Sequence, residues 1–238
     1  LFSFIYLLRY TCYNLIGNMV INVMTTVYLI RHSEKNRNVI NINNNDSFQL
    51  TNEKITLSVN GERKANLLSY SSEMQDIDSV FSSNYVRTVE TAKYIAEKNN
   101  TNINIIEGFG ERKYGIDSLD DIIENFEKKQ LLDENYKLKN GESQKEVRDR
   151  MYNSLMYVIK NYREKRIAIV SHGTAMIFLL GKWCDISLVE SIDNKLNTKI
   201  VFNDTPVFEG NLDAPEVFKL VFDENDNLTI IENIKWKE

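Results

Sequence analysis

The chain has 238 residues, of which 42% are apolar and 26% are charged, so it is long enough for one large core or two small ones. These ordinary values exclude a disordered, collagen-like or disulfide-scaffold protein. The net charge of −5 argues against a surface built to hold nucleic acid or an anionic bilayer, and we expect neither as a partner. The two cysteines, Cys12 and Cys184, lack metal-ligand spacing, and their scarcity favours a reducing compartment, the cytoplasm.

Residues 1–23 differ from the rest of the chain, since Arg9 is their single charged side chain. Their apolar run is too interrupted to span a bilayer, and no secretory cleavage pattern is visible. Met24 directly precedes a strong strand pattern. We therefore interpret residues 1–23 as a non-native or disordered N-terminal extension, with translation starting at Met24. The alternative interpretation is a weakly packed arm.

From Met24 onward, short β-branched runs alternate with helical patterns. The predicted strands cover Thr26–Ile30, Ser79–Phe81, Asn102–Ile106 and Arg166–Val170. The predicted helices cover Asn60–Ser72, Tyr85–Lys98, Ser143–Arg163 and about Gly173–Trp183. Ser143 and Glu146 have the spacing of a capping box at the start of the longest helix. The alternation predicts an α/β fold, a three-layer sandwich with a mostly parallel central sheet flanked by helices.

The end of the chain has a different pattern. Residues Glu216–Phe222 and Leu228–Ile234 flank a turn-rich stretch and predict a C-terminal antiparallel hairpin. No Gly/Ser tract or proline-rich segment resembles an interdomain linker, so we expect residues 24–238 to form a single domain.

Each of the two histidines in the chain follows a predicted strand. His32 comes directly after Arg31, and His172 comes directly before the helix that starts at Gly173. Ligands of open α/β sheets bind beyond the carboxyl ends of the strands, so both imidazoles face one crevice if their strands are neighbours. The amides that follow Gly173 would add donors for an anion. A lone histidine at a strand end is more often structural, whereas two together favour chemistry near neutral pH.

Three further side chains follow predicted strands. Arg87 lies in the first turn of the helix after Ser79–Phe81, and with Arg31 it forms a plausible fork of donors for phosphate oxygens. Without the histidines, Arg87 would be interpreted as a solvated helix arginine. Glu111 follows the strand Asn102–Ile106, where a carboxyl group could serve as an acid or base.

These motifs together resemble a known family. Arg31-His32-Ser33-Glu34, with Asn38 six residues after the histidine, resembles the RHG-E-T-x-x-N opening of the histidine phosphatase superfamily, the phosphoglycerate-mutase-like proteins. The later motifs SSNYVRTVETA, GERKYG, GES and SHG follow in the family's order, and ITLSVNGERKANLL resembles its L-T-x-x-G-x-x-Q-A segment. The resemblance covers most of the chain from Thr26 to about Trp183.

The resemblance implies a role for each candidate residue. His32 would be the nucleophile that forms a phosphohistidine, and Glu111 would donate and accept the proton. A protonated or donating His172 would help to hold the phosphoryl oxygens, as would the substrate-binding residues Arg31, Arg87, Asn38 and Gly173. The expected substrate is a phosphorylated small molecule, and no metal or other cofactor is expected.

Two departures from the family pattern concern the pocket. Ser33 replaces the family's glycine and adds a side chain where backbone approaches the substrate. Lys35 replaces the family's threonine and adds a cation, unless it points to solvent.

A further departure concerns the lid. The segment between Gly115 and Gly141 is shorter than the insertion that encloses the substrate in the mutases, which favours a phosphatase. We expect a cap over about residues 116–140, built around the helical pattern of Asp117–Glu134.

Three alternatives remain open at this point. The chain could be a phosphoglycerate mutase, a non-catalytic module that binds a phosphorylated ligand, or an α/β protein whose histidines are structural. The oligomeric state and the physiological substrate do not follow from the sequence.

Overall fold

The computed structural model describes residues 24–37, 46–118, 121–190 and 196–236. Its strands are β1 (Thr25–Arg31), β2 (Ser79–Ser82), β3 (Ile103–Ile105), β4 (Arg166–Ser171), β5 (Asp185–Glu190), β6 (Leu196–Phe202), β7 (Thr205–Gly210), β8 (Val217–Phe222) and β9 (Leu228–Asn233). Its helices are α1 (Phe48–Lys54), α2 (Val59–Ser69), α3 (Val86–Lys98), α4 (Phe126–Leu132), α5 (Gln144–Asn161) and α6 (Gly173–Leu180). In this part of the chain, no helix has the length and apolar character that crossing a membrane requires. Residues 1–23 lie outside the described residues, so their interpretation as an extension stays a prediction.

A six-stranded sheet in the order β3-β2-β4-β1-β8-β9 forms the framework. The first four strands in this order are parallel to one another, as predicted. Strand β8 pairs antiparallel with β1 and with β9, so the predicted C-terminal hairpin is confirmed and extends the same sheet. Arg31 of β1 is level with Ser171 of β4, and the carboxyl ends of these two strands therefore lie side by side.

The alternation of side chains along β1 explains the layers. Val27 and Leu29 pack in one core cluster with residues of α5 and α6, whereas Tyr28 and Ile30 pack in a second cluster with residues of α2 and α3. Successive side chains of a strand point to opposite faces, so a run of buried residues is typical of a sheet covered on both sides. The predicted three-layer sandwich is confirmed.

Helix α5 begins at the predicted capping box. The Ser143 hydroxyl accepts from the Glu146 N–H, and the Glu146 carboxylate accepts from the Ser143 N–H. Both bonds satisfy N–H groups that the first helical turn leaves without partners. Apolar side chains on one face of this helix, which include Val147, Met151 and Leu155, are buried in the core.

A second, three-stranded antiparallel sheet, which was not predicted, is formed by β5, β6 and β7. Most of its side chains are partly exposed, and Ile200 and Phe208 connect it to the main core. Strands β6 and β7 are joined by Asn203 and Asp204, which have φ values of 47° and 60°. Two left-handed residues in a row are typical of a tight hairpin turn, and this dipeptide is the signal that could have revealed the sheet.

In the described part of the expected cap, the α-helix is α4, which is shorter than the predicted Asp117–Glu134. Arg112 is buried between this helix and the framework, where it donates to Gln130 at 2.6 Å and stacks on the Phe126 ring at 5.0 Å. These contacts dock α4 onto the loop that follows β3.

The two ends of the cap segment meet. The Glu142 N–H donates to the Lys113 carbonyl at 2.8 Å. Gly115 has a φ of 70°, and a Cβ atom added there would lie 2.1 Å from the Gly141 nitrogen. Any side chain at position 115 would collide with backbone, so glycine is required for this close approach.

Candidate active site

The candidate site lies beyond the carboxyl ends of the neighbouring strands β1 and β4. His32 directly follows β1, and its backbone N–H donates to the carbonyl of Ser171 at the end of β4. His172 is the next residue after Ser171. The ring centroids of the two histidines are 5.2 Å apart, so the sheet brings both imidazoles to one place.

The His32 ring is buried, and its hydrogen bonding indicates where its proton lies. Nδ1 is 2.6 Å from the carbonyl oxygen of Ser33. A carbonyl can only accept, so Nδ1 carries the hydrogen and Nε2 keeps a lone pair in the neutral ring. Burial and the nearby Arg87 guanidinium hold the pKa of His32 well below its ordinary value of about 6.5. The ring is therefore neutral near pH 7 and presents a nucleophilic nitrogen.

Two arginines lie beside this ring. Burial lowers the pKa of both Arg31 and Arg87, although each remains a cation near neutral pH. Arg31 donates from Nη1 to the Leu212 carbonyl, and Arg87 donates from Nη1 to the Asn52 carbonyl, so both guanidinium groups are held in place. The buried Nε atom of each has no hydrogen-bond partner among the described residues. Buried donors of this kind favour an anionic partner.

His172 is fully buried behind Arg87. Its Nδ1 is 3.2 Å from Nη2 of Arg87, and its Nε2 is 2.9 Å from the Ser83 hydroxyl. Because a guanidinium can only donate, Nδ1 accepts, and Nε2 carries the hydrogen in this arrangement. Burial and Arg87 hold the pKa of His172 well below its ordinary value. The ring thus positions Arg87, and its direct contact with a phosphoryl group stays a prediction.

Glu111 approaches the same place from the loop after β3. Its Oε1 accepts hydrogen bonds from the backbone N–H of Arg112 at 2.8 Å and from the backbone N–H of Ala175, in the first turn of α6, at 3.0 Å. The structure therefore brings Glu111 together with His32, Arg31 and Arg87, all of which line one cavity.

Arg150 on α5, which was not among the predicted site residues, shapes the loop that carries Glu111. Its guanidinium donates to the carbonyl oxygens of Gly108, Gly110 and Glu111 at 2.8 to 3.0 Å. It also pairs with Glu142, and although burial alone would raise the pKa of that carboxyl, Arg150 lowers it overall. Glu142 of the GES motif thus supports the Glu111 loop indirectly, through Arg150.

The cavity at the histidine has a volume of about 190 Å³, and its lining includes Arg31, His32, Lys35, Arg37, Arg87 and Glu111. A second cavity of about 480 Å³ lies beside it and shares Glu111. Within the described ranges, no group of three or more His, Cys, Asp or Glu side chains is placed to hold a metal ion.

The remaining predicted site residues have different positions. Ser33, which stands where the resembled family has glycine, is buried. Its hydroxyl is hydrogen-bonded to the Gly61 carbonyl at 2.7 Å. A Cβ atom on Gly173 would lie 3.2 Å from Nε of Arg31, which explains why glycine suits the start of α6. Asn38 lies outside the described residues, and its role stays a prediction.

The low pKa values of the two histidines predict how stability depends on pH. Histidines in the unfolded chain titrate near pH 6.5, whereas the native rings resist protonation. Below about pH 6.5 unfolding therefore takes up protons, and we expect the free energy of unfolding to fall as pH falls, by about 1.4 kcal/mol per pH unit for each ring. Urea unfolding between about pH 7.5 and 5.5 measures this slope.

The matched control for this measurement is His172→Gln, which removes one of the two titrating rings. We expect its slope above about pH 5.5 to be roughly half that of the parent protein. A free energy of unfolding that stays constant from about pH 7.5 to 5.5 in the parent would contradict the neutral, buried state of both rings.

Comparison with known proteins identifies related sequences and folds. A sequence profile described as the histidine phosphatase superfamily (branch 1) matches residues 27–203. No curated protein matches the sequence significantly.

Several solved structures share the fold. The mycobacterial glucosyl-3-phosphoglycerate phosphatase is 15% identical, with a TM-score of 0.63 over 90% of this chain and 98% of that one. Bacillus stearothermophilus YhfR is 18% identical, with a TM-score of 0.61 over 87% of this chain and 95% of that one. A phosphoserine phosphatase mutant from Entamoeba histolytica, in complex with phosphoserine, is 21% identical, with a TM-score of 0.51 over 78% and 96% of the respective chains.

Proposed function

The chain belongs to the histidine phosphatase superfamily, and from that premise we propose that it hydrolyses phosphomonoesters through a phosphohistidine on His32. The state of the His32 ring carries the proposal. Its Nδ1–H is bonded to the Ser33 carbonyl, and its low pKa leaves the Nε2 lone pair available beside Arg31 and Arg87. The nucleophile, the anion donors and the proton carrier are all side chains, so the proposed chemistry requires no metal.

In the first step, the lone pair of His32 Nε2 attacks phosphorus. The new N–P bond forms as the bond from phosphorus to the ester oxygen breaks. Glu111 gives its proton to the departing oxygen, which leaves as an alcohol. Arg31 and Arg87 hold the non-bridging oxygens, where the negative charge lies during transfer.

In the second step, a water molecule releases the phosphoryl group. The Glu111 carboxylate takes a proton from the water as its oxygen bonds to phosphorus, and the N–P bond breaks. The electron pair of that bond returns to Nε2 of His32, inorganic phosphate leaves, and Glu111 is again protonated. The protein thus returns to its starting state, with one ester and one water consumed.

The short cap favours hydrolysis over phosphoglycerate mutase activity. The segment between Gly115 and Gly141 contains one short helix in its described part, and its two ends are in contact. A mutase must keep water from its phosphoenzyme until the second acceptor binds, which a larger lid does better. The structural neighbours named as phosphatases of small molecules agree with this choice, and we propose a phosphorylated small molecule as the substrate.

Trapping the phosphoenzyme tests the proposal directly. We expect radiolabelled phenyl phosphate, mixed with the protein and quenched in alkali within milliseconds, to leave label on the protein. Phosphohistidine survives alkali and is lost in acid, whereas phosphoserine survives acid. Label that resists acid, or that persists in a His32→Asn variant, would refute the assignment.

A further inference from the structure

The cavity at His32 holds more positive charge than a single phosphate requires. Four cationic side chains line it: Arg31, Lys35, Arg37 and Arg87. A phosphate monoester carries about two negative charges near neutral pH. The buried Arg87 and the partly buried Arg31, placed beside His32, match that charge, which leaves Lys35 and Arg37 for a further anion.

The carboxyl groups of Glu34 and Glu111 in the lining do not form ion pairs with these two cations. Glu34 accepts hydrogen bonds from Ser58 and Asn60 and pairs with Lys64 at 2.9 Å. Among the described residues, no carboxylate oxygen lies within 4.0 Å of the charged nitrogens of Lys35 or Arg37. Partial burial, together with Arg87 and Arg31, lowers the pKa of Lys35, and the opposing effect of Glu111 is smaller than these together.

The backbone of Lys35 is held in place although its side chain is partly exposed. Residue 35 forms an antiparallel bridge with Leu57. On one side the Ser58 N–H donates to the Glu34 carbonyl, and on the other the Asn36 N–H donates to the Thr56 carbonyl, both at 2.9 Å. A fixed backbone places the ammonium group at the cavity with less ordering cost when an anion binds.

The neighbouring cavity has the opposite character. Four carboxyl groups line it, from Glu53, Glu107, Glu111 and Glu142, against two cations, Lys113 and Arg150. Arg150 is already paired with Glu142. An anionic group is therefore disfavoured in that direction and favoured toward Lys35.

We propose that the substrate carries a second anionic group, a carboxylate or phosphate, on the alcohol that leaves, and that Lys35 and Arg37 bind this group. The inference rests on the proposed phosphatase function and adds the substrate class to it. Lys35 would then be a specificity-determining residue that does not take part in the phosphoryl transfer.

A matched pair of substrates tests this inference. 3-Phosphoglycerate and glycerol 3-phosphate have the same carbon skeleton, with a carboxylate in one where the other has a hydroxymethyl group. We expect the parent protein to favour the carboxylate by about tenfold or more in kcat/KM, and Lys35→Met to reduce that ratio by about fivefold. Lys35→Arg should retain most of the preference, and Lys93→Met, which removes an exposed lysine on α3, should leave it unchanged.

The outcomes separate this inference from the proposed function. If phenyl phosphate and both test substrates are all left intact, the phosphatase proposal itself fails. If they are hydrolysed but Lys35→Met slows the two test substrates equally, Lys35 only assists phosphate binding and the inference is overturned. A ratio that responds to Lys113→Met and not to Lys35→Met would also overturn it, because the second anion would then lie in the neighbouring cavity.

Discussion

Replacement of His32 by asparagine is expected to reduce phosphatase turnover by at least about 10⁴-fold. The asparagine amide can still donate to the Ser33 carbonyl, which Nδ1 of the histidine reaches at 2.6 Å. It has no lone-pair nitrogen at the position of Nε2, so the N–P bond cannot form. Hydrolysis of para-nitrophenyl phosphate in the presence of EDTA measures the loss, and the parent protein should remain active under the same conditions.

The matched variant His32→Ala separates loss of the nucleophile from loss of structure. The smaller side chain leaves a space where free imidazole can bind, and we expect added imidazole to restore part of the activity of this variant. Thermal unfolding should show that both variants remain folded. Activity within about tenfold of the parent in either variant, without imidazole, would exclude His32 as the nucleophile.

Replacement of Arg87 by methionine is expected to reduce kcat/KM by about 10²- to 10³-fold. The guanidinium lies among buried groups and is positioned by the Asn52 carbonyl, the His172 ring and the Tyr85 ring, whose centroid is 4.7 Å away. A donor held in a dry site stabilises the charge of the transition state more than a solvated one does. Methionine keeps the volume of the side chain but offers no donor.

The same variant should change the titration of both histidines. After burial, the charge of Arg87 has the largest lowering effect on the pKa of His32 and of His172, so its removal should raise both pKa values. NMR titration of the two imidazoles, the only ones in the chain, measures this shift. Arg87→Lys keeps the positive charge but lacks the bidentate guanidinium. We expect this variant to have histidine pKa values close to those of the parent protein but a much lower activity. A loss below about fivefold in Arg87→Met would show that this arginine does not hold the transferring group.

The position of the site could be predicted from the sequence because it depends on short local patterns. The strand patterns before His32 and His172 and the helix pattern after Gly173 place the two rings at strand ends. Parallel neighbouring strands then bring those ends together. The prediction needed only that β1 and β4 be adjacent, which the structure confirms.

The contacts that support the site depend on residues far apart in the chain and could not be predicted in this way. Arg150 contacts the carbonyl oxygens of Gly108 and Gly110 across about 40 residues. The hydrogen bonds of the His172 ring to Ser83 and Arg87 likewise depend on how these residues pack in three dimensions. No local pattern records such pairings, because propensity and periodicity report only on neighbouring residues.

The small antiparallel sheet was missed for a related reason. Strand β5 has no fully buried residue, and its alternation of polar and apolar residues covers only Asp185 to Leu188 before Val189 interrupts it. Its hydrophobic alternation is therefore weak, and hydrophobic alternation is the main sequence signal for a strand.

The two ends of the cap segment meet at Lys113 and Glu142. Evolutionary changes in the cap can therefore occur separately from changes at the histidine site. A replacement insert of another length starts and finishes at the same point in space, and the entropy of closing a loop grows slowly with its length. Such an exchange leaves the strand ends that carry His32 and His172 undisturbed. If the protein has the proposed activity, mutation or recombination within this insert would alter which alcohol is admitted and leave the groups beneath it intact, and new selectivity could be grafted in the laboratory by the same route.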